Sequence, residues 1–408
     1  MHHHHHHLFK NYSLVRKLNI HFSVLWILYW MGWTALWGFL SVYLLHRGFT
    51  NAQIGLVTGC NSLLWIFIQP ALATFCDRNP RFSSRRLAMV LAVILMVCGT
   101  AAWLSDSILL TSVLLVISGV AVTNIPPHFN AMNMNMALRG LDVNFSASRS
   151  CGSVTYALTS LVMGAALEHF APTLVLPIFL LAFSGLLLAL LLFRYPLPDA
   201  PAYEAKNTPV VLSNAALLRR YPRFTLVLVA CFLLVGSQNA ITTYMIHIAA
   251  KVGGGETTTG TAYFISGIVE LPAMLLFTKV RRKVPLRTLL PACSVFFVVR
   301  AGALLLAATP PAMFLACSLQ FFAYAILAVS TVYFAAQEID IANQVKAQAL
   351  IYTASSGVGA AFGSLCGGRL LDWGGVNAML TFCCLSAAAG MCLMTFALQF
   401  KRPKGAKP

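Results

Sequence analysis

Apolar runs of about twenty residues recur along almost the whole chain, and that length is what a helix needs to cross roughly 30 Å of hydrocarbon. The stretch 173–193, for example, contains no charged residue. In lipid every backbone N–H and C=O must bond within its own segment, so runs of this length read as helices. Membrane strands would be shorter and would alternate in polarity. Spans are expected near 20–45, 53–76, 87–104, 108–133, 149–170, 173–193, 223–250, 258–280, 286–308, 311–336, 347–368 and 375–399. Composition agrees, because only 10% of the residues are charged and 59% are hydrophobic, against about 25% charged in a soluble domain. The fold class is therefore an all-α membrane protein of twelve transmembrane helices.

Residues 1–7, with His2 to His7, read as an expression tag and carry no structural argument. The first apolar run is too long for a cleavable signal peptide. The eleven cysteines sit mostly inside apolar runs, without metal-ligand spacing, and read as small packing residues. No cofactor or metal is expected.

A net charge of +17 could suggest a nucleic-acid partner, but its placement argues against one. With both termini cytoplasmic, Lys10, Arg16, Lys17, Arg78, Arg81, Arg85, Arg86, Arg139, Arg194, Arg219, Arg220, Arg281, Arg282, Arg287, Lys346 and the basic tail fall on one side. Arg47, Lys251 and Arg369 fall on the other, and Arg149 and Arg300 lie within spans. That asymmetry is the positive-inside signature. It implies a multi-pass protein of a cytoplasmic membrane whose partners are the lipid bilayer and a small solute, and which works as a monomer.

The longest polar connection follows the sixth span. It contains Pro196, Pro198 and Pro201 and ends in Arg219-Arg220-Tyr221-Pro222-Arg223. This divides the chain into a six-helix bundle over 8–193, a linker over 194–222, a second bundle over 223–400 and a basic tail over 401–408. The halves echo each other. The second span leads into the basic hairpin Asp77-Arg78-Asn79-Pro80-Arg81, continuing to Arg85-Arg86, and the eighth leads into Lys279-Val280-Arg281-Arg282-Lys283. The fifth and eleventh spans are both rich in glycine, and Gly359, Gly363 and Gly367 share one helix face. Two pseudo-symmetric six-helix bundles with a midplane site form a recurrent secondary-transporter plan.

The Asp77-Arg78 to Arg85-Arg86 loop, together with the twelve-span layout, resembles the major facilitator superfamily. Ala73 stands where its motif has a leading glycine. More narrowly, Gln69-Pro70, the run Arg149-Ser150-Cys151-Gly152-Ser153-Val154-Thr155-Tyr156, Glu270-Leu271 and Arg300 resemble the branch of lactose permease and related oligosaccharide and nucleoside proton symporters. The resemblance covers Phe22 to about Phe382. It implies that Arg149 and Glu270 bind the solute, that Tyr156 stacks on it, that Arg300 belongs to the proton-coupling network, and that Asp77, Arg78, Arg85 and Arg86 form a cytoplasmic gate. The chain also departs from that branch. Leu319-Gln320-Phe321-Phe322 replaces the lysine, histidine and glutamate of helix 10, and Ser237-Gln238-Asn239-Ala240 lacks the acidic partner of that lysine. Losing both members of a buried ion pair is self-consistent.

Glu270 is the one carboxylate near the middle of a span, and an ionised carboxylate there must be paired, hydrated or protonated. A structural pair with Arg300 and a role in solute or proton binding are the two readings. Arg149 is near enough to the membrane surface to snorkel. Asn130, Asn239 and Gln320 offer hydrogen bonds to a solute or between helices, and Tyr29 and Trp33 are aromatic candidates for a cavity wall. The expected function is proton-coupled transport of a sugar or glycoside, with a nucleoside or an organic acid as the alternative solute. A membrane enzyme or sensor would gather catalytic side chains at one face, and no such cluster is visible.

Overall fold

The computed structural model describes residues 2–79, 83–199, 212–340 and 343–399. All regular elements there are helical. In chain order they are α1 (His2–Trp33), α2 (Leu40–His46), α3 (Asn51–Arg78), α4 (Ser84–Leu104), α5 (Ile108–Thr123), α6 (Pro126–Leu138), α7 (Phe145–His169), α8 (Val175–Leu191) and α9 (Asn214–Arg220). The second half of the chain supplies α10 (Pro222–Thr243), α11 (Met245–Lys251), α12 (Glu256–Ile268), α13 (Glu270–Lys283), α14 (Leu286–Leu306), α15 (Pro310–Ser318), α16 (Tyr324–Glu338), α17 (Gln344–Tyr352) and α18 (Ala360–Ala397).

Among the described residues, ten helices are long and apolar enough to cross a membrane. They become eleven when Asn11–Gly38 and the bent α2 count as one span. The difference from the expected twelve lies at the end of the chain. There Lys346–Ala397 runs for 52 residues, roughly 78 Å at 1.5 Å per residue, more than twice a bilayer's hydrocarbon thickness. This stretch breaks at Gly375, where φ is 78° and ψ is −170°, a conformation open to glycine and closed to most side chains. The expected spans 347–368 and 375–399 fall on either side of that break.

Four further spans are interrupted, and the interruptions repeat between the halves. The first span passes from α1 through a π-helical turn, Thr34–Gly38, into α2, and the seventh breaks between α10 and α11. The fourth breaks between α5 and α6, where Pro126 and Pro127 cannot continue a helix. The tenth passes from α15 through a 3-10 turn, Leu319–Phe321, into α16. Broken helices in a membrane survive where side chains satisfy the freed carbonyls. At the end of α10, Tyr263 donates to Thr242 O at 2.6 Å and Ser41 donates to Thr243 O. At the end of α5, Asn124 Nδ2 donates to Val120 O at 2.7 Å.

The chain groups into two units. The first holds Met1–Phe39, Phe67–Ser160 and Ala171–Lys206, and the second holds Leu40–Ile66, Leu161–Phe170 and Asn207–Pro408. In the first, α1 packs on α8, and α4 packs on α5, α6 and α8, around the fully buried Phe22, Leu25, Phe129, Phe179 and Phe183. In the second, α10 and α14 pack on α18. A side chain at Gly363 would run into the Gly236 carbonyl of α10, so the sequence's small-residue face is what lets these backbones meet. Ser237 to Cys383 O at 2.8 Å and Ser386 to Leu233 O at 2.7 Å add hydrogen bonds between the same helices. The second unit thus includes chain from both sequence halves.

Large apolar side chains cover the outside. Leu109, Leu181 and Leu275 are each at least three-quarters exposed, a surface suited to acyl chains and hazardous in water. The described ends of the linker are tied down. Tyr195 OH lies 2.6 Å from His21 Nδ1, Arg139 Nη1 donates to Pro198 O at 2.7 Å, and Lys346 Nζ donates to Leu212 O at 2.8 Å. Residues 200–211 and the tail 401–408 lie outside the described residues.

Candidate functional site

Glu270 opens α13, directly after Val269, the single residue that separates this helix from α12 within one apolar crossing, Glu256–Phe277. Gln320 occupies the 3-10 turn that interrupts the tenth span. The two irregular points meet, for Gln320 Nε2 donates to Glu270 Oε1 at 3.2 Å. Gln320 is buried and Glu270 half-buried. Arg300, from the middle of α14, is only 2% exposed and is the largest side chain so buried among the described residues. Its positive charge acts on Glu270. The carboxylate therefore keeps one amide donor and one neighbouring guanidinium charge, the compensation a buried acid requires.

The Gln320 amide is used from one side only. Its Oε1 is buried and meets no hydrogen-bond donor among the described residues. Leaving a buried acceptor unmet costs about 1–3 kcal/mol. The Glu270 carboxylate thus accepts from an amide whose own oxygen is buried and unmatched.

Asn239 is employed differently. Its amide donates to Ala360 O at 2.8 Å and Ser364 Oγ at 2.6 Å, so both N–H groups tie α10 to α18.

In the first unit Arg149 is exposed, one turn into α7, and Asn130 is exposed on α6. Tyr156 is half-buried two turns further along α7. Its ring centroid lies 6.1 Å from those of Trp30 and Trp33, whose own rings are 5.3 Å apart. Gly152 makes this cluster possible, because any Cβ there would strike the Trp30 indole. Tyr29 is not part of a cavity wall: it is 2% exposed and donates to Val122 O at 2.9 Å, joining α1 to α5.

Of the proposed gate, Asp77 and Arg78 lie in the last turn of α3, and their side chains are outside the described residues. Arg85 donates from Nε to Leu190 O at 2.6 Å and from Nη2 to Leu191 O at 3.1 Å. A cation on the last carbonyls of α8 complements that helix terminus. Arg86 is exposed.

Two constellations escaped the sequence reading. One is the buried pair Arg223–Glu338, with Nε and Oε1 3.8 Å apart. The signal was present, an acid ending the tenth apolar run and an arginine opening the seventh, but nothing in one dimension brings them together. The other is a pair of carboxylates set on helix starts. Asp372 accepts from Asn51 N at 3.2 Å and Ala52 N at 2.7 Å, and Glu168 Oε2 accepts from Thr257 N at 3.1 Å. No group of metal-ligating side chains occurs among the described residues.

Comparison with known proteins places this architecture. The sequence profile of the MFS_1 like family matches residues 19–384. The chain is 26% identical over 399 residues to the maltose permease of Geobacillus stearothermophilus, an alignment spanning 94% of this chain and 95% of the permease. Among solved structures it is similar to the nucleoside transporter NupG, with a TM-score of 0.79 at 17% identity over 94% of this chain and all of that one. It is also similar to an autoinhibited peptide transporter of the POT family, with a TM-score of 0.70 at 11% identity over 96% of this chain and 99% of that one. At such identities the structures bear on fold, whereas the profile, matching nearly the whole chain, bears on descent. The chain belongs to the MFS_1 like family, within the major facilitator superfamily of secondary transporters.

Proposed function

We propose that this protein carries a nucleoside across a cytoplasmic membrane by alternating access, on twelve spans with both termini cytoplasmic. The observation that carries the reading is the Glu270–Gln320 contact in broken helices, where a carboxylate accepts from an amide whose own oxygen is unmatched. A nucleoside's ribose hydroxyls and base N–H groups are donors that such a pair accepts. The Trp30, Trp33 and Tyr156 rings of the first unit are the type of group on which a base stacks. The likeness to a nucleoside transporter in fold, over the whole of that protein, supports the same reading.

A sugar or glycoside is the second reading, favoured by the maltose permease alignment along nearly the whole chain. In the second unit both solutes would use Glu270 and Gln320 for binding. Under either reading the proton is the coupling ion, with Glu270 as its site and Arg300 as the fixed charge that Glu270 senses. Asp77 and Arg78, at the end of α3, and Arg85 and Arg86, at the start of α4, would then form the cytoplasmic gate.

The deciding measurement is a thermal-shift screen of purified protein against uridine, adenosine, maltose and benzoate, followed by counterflow uptake in proteoliposomes. A ligand that binds only the folded state raises Tm. Stabilisation and counterflow by uridine or adenosine, with maltose inert, is the expected result. The reverse pattern would replace the nucleoside with the sugar, and a response to benzoate alone would reject both.

A further inference from the structure

The second unit contains a cavity of about 710 Å³ that lies apart from the Glu270 site, at the end of the helices bearing the basic loops. Arg223 of α10, Arg281 and Arg282 of α13 and Arg287 of α14 line it, opposite Tyr333 and Glu338 of α16. Four guanidinium groups therefore face one carboxylate. Glu338 Oε1 lies 3.8 Å from Nε of the buried Arg223, and one carboxylate charge cannot balance four guanidinium charges. The Arg281 guanidinium sits 3.8 Å from the centroid of the Tyr333 ring. Stacking of this kind fixes the plane of the group and leaves its N–H edge to bind an anion. The first turn of α14 also lines the cavity through Leu286, and Pro285, the residue that precedes α14, supplies no side-chain cap. An uncapped helix start adds N–H donors of the same sign.

The depth of the cavity narrows the ligand further. Arg223 is the second residue of the span Pro222–Thr243, Leu286 opens Leu286–Leu306, and Glu338 closes Pro310–Glu338. The arginines thus sit where apolar spans end, at the level of lipid headgroups. On the same helix as Arg281 and Arg282, Leu275, Leu276 and Val280 are exposed, offering apolar surface to an acyl chain. Basic pockets between helices at this level suit phosphate-bearing headgroups. Guanidinium forks match phosphate oxygens in geometry as well as in charge.

We propose that this cavity is a binding site for a phosphoryl group, and that its depth favours the headgroup of an anionic phospholipid as the source. The site is separate from the solute site and stands whether or not the nucleoside reading holds.

The test uses the full chain purified in detergent. Native mass spectrometry reads retention of dioleoylphosphatidylglycerol against dioleoylphosphatidylcholine, and thermal shift reads both lipids and inorganic phosphate. R281Q/R287Q removes two lining arginines. K279Q/K283Q removes the same charge from exposed positions of the same helix that do not line the cavity. The expected result is selective retention of the anionic lipid, weakened about tenfold or more in R281Q/R287Q and unchanged in K279Q/K283Q. A response to inorganic phosphate with the same variant dependence, and none to the lipid, upholds the phosphoryl site and assigns it a soluble ligand. Equal losses in both double variants, or no preference over phosphatidylcholine and no phosphate response, would overturn the proposal. Should R281Q/R287Q fail to fold, R282Q/R287Q alters two exposed arginines and gives the same readings.

Discussion

Glu270 and Gln320 show how a single side chain becomes interpretable only with its partner. Alone in an apolar run, Glu270 has to be compensated, and the structure supplies a donor at 3.2 Å from a turn fifty residues away. Replacing Gln320 with Leu removes that donor while keeping the side chain's bulk. Loss of a hydrogen bond to a charged group costs about 1.5–3 kcal/mol, so the ligand identified by thermal shift should bind Q320L roughly ten- to a hundredfold more weakly. Undiminished affinity would remove Gln320 from the solute site. Glu270→Gln tests coupling separately. It keeps size and hydrogen-bonding capacity but holds no exchangeable charge, so gradient-driven accumulation should vanish while counterflow exchange continues. Accumulation at the parental level would place the proton elsewhere.

The elements at the end opposite the basic loops are held by carboxylates on helix starts, and the arrangement follows the internal repeat. Asp372, beyond the eleventh span, caps α3 of the second span, and Glu168, ending the fifth, caps α12 of the eighth. Side-chain caps of this type are worth about 1 kcal/mol each. Asp372→Asn and Glu168→Gln should each lower Tm by a few degrees, and their effects should add, because the two sites share no partner. A double variant no worse than either single one would mean that one cap alone holds this end. His247 joins the same end, for its Nε2 lies 2.7 Å from Asn51 Oδ1. None of this was legible in the sequence. Asp372 and Glu168 look like ordinary loop charges, since the N–H groups they cap lie 321 and 89 residues away along the chain.

At the scale of the whole molecule the sequence was a good guide to what depends on repeats and charge, and a poor one to what depends on backbone irregularity. Apolar runs located the spans between Asn51 and Leu191 to within about four residues, whereas the last two expected spans fall in one stretch, Lys346–Ala397. The breaks that place Gln320 in a 3-10 turn leave no trace in hydropathy, because Leu319, Phe321 and Phe322 are as apolar as any helix interior. Gly375 is the converse case. It lies within α18, yet its positive φ divides 52 residues into two lengths, each suited to a bilayer. Division there predicts that both ends of that stretch lie on one side of the membrane with Gly375 on the other, and the charge asymmetry predicts that the two ends are cytoplasmic. Alkaline phosphatase fused after Gly375 should be active, as should fusions after Gly48 and Gly253, two other turns with positive φ. Fusions after Pro198 or Gln399 should be inactive, because the enzyme folds only when exported. An inactive Gly375 fusion would mean that α17 and α18 do not cross and return. The chain would then have an odd number of spans and termini on opposite sides, and the pairing of its halves as two six-span repeats would be lost.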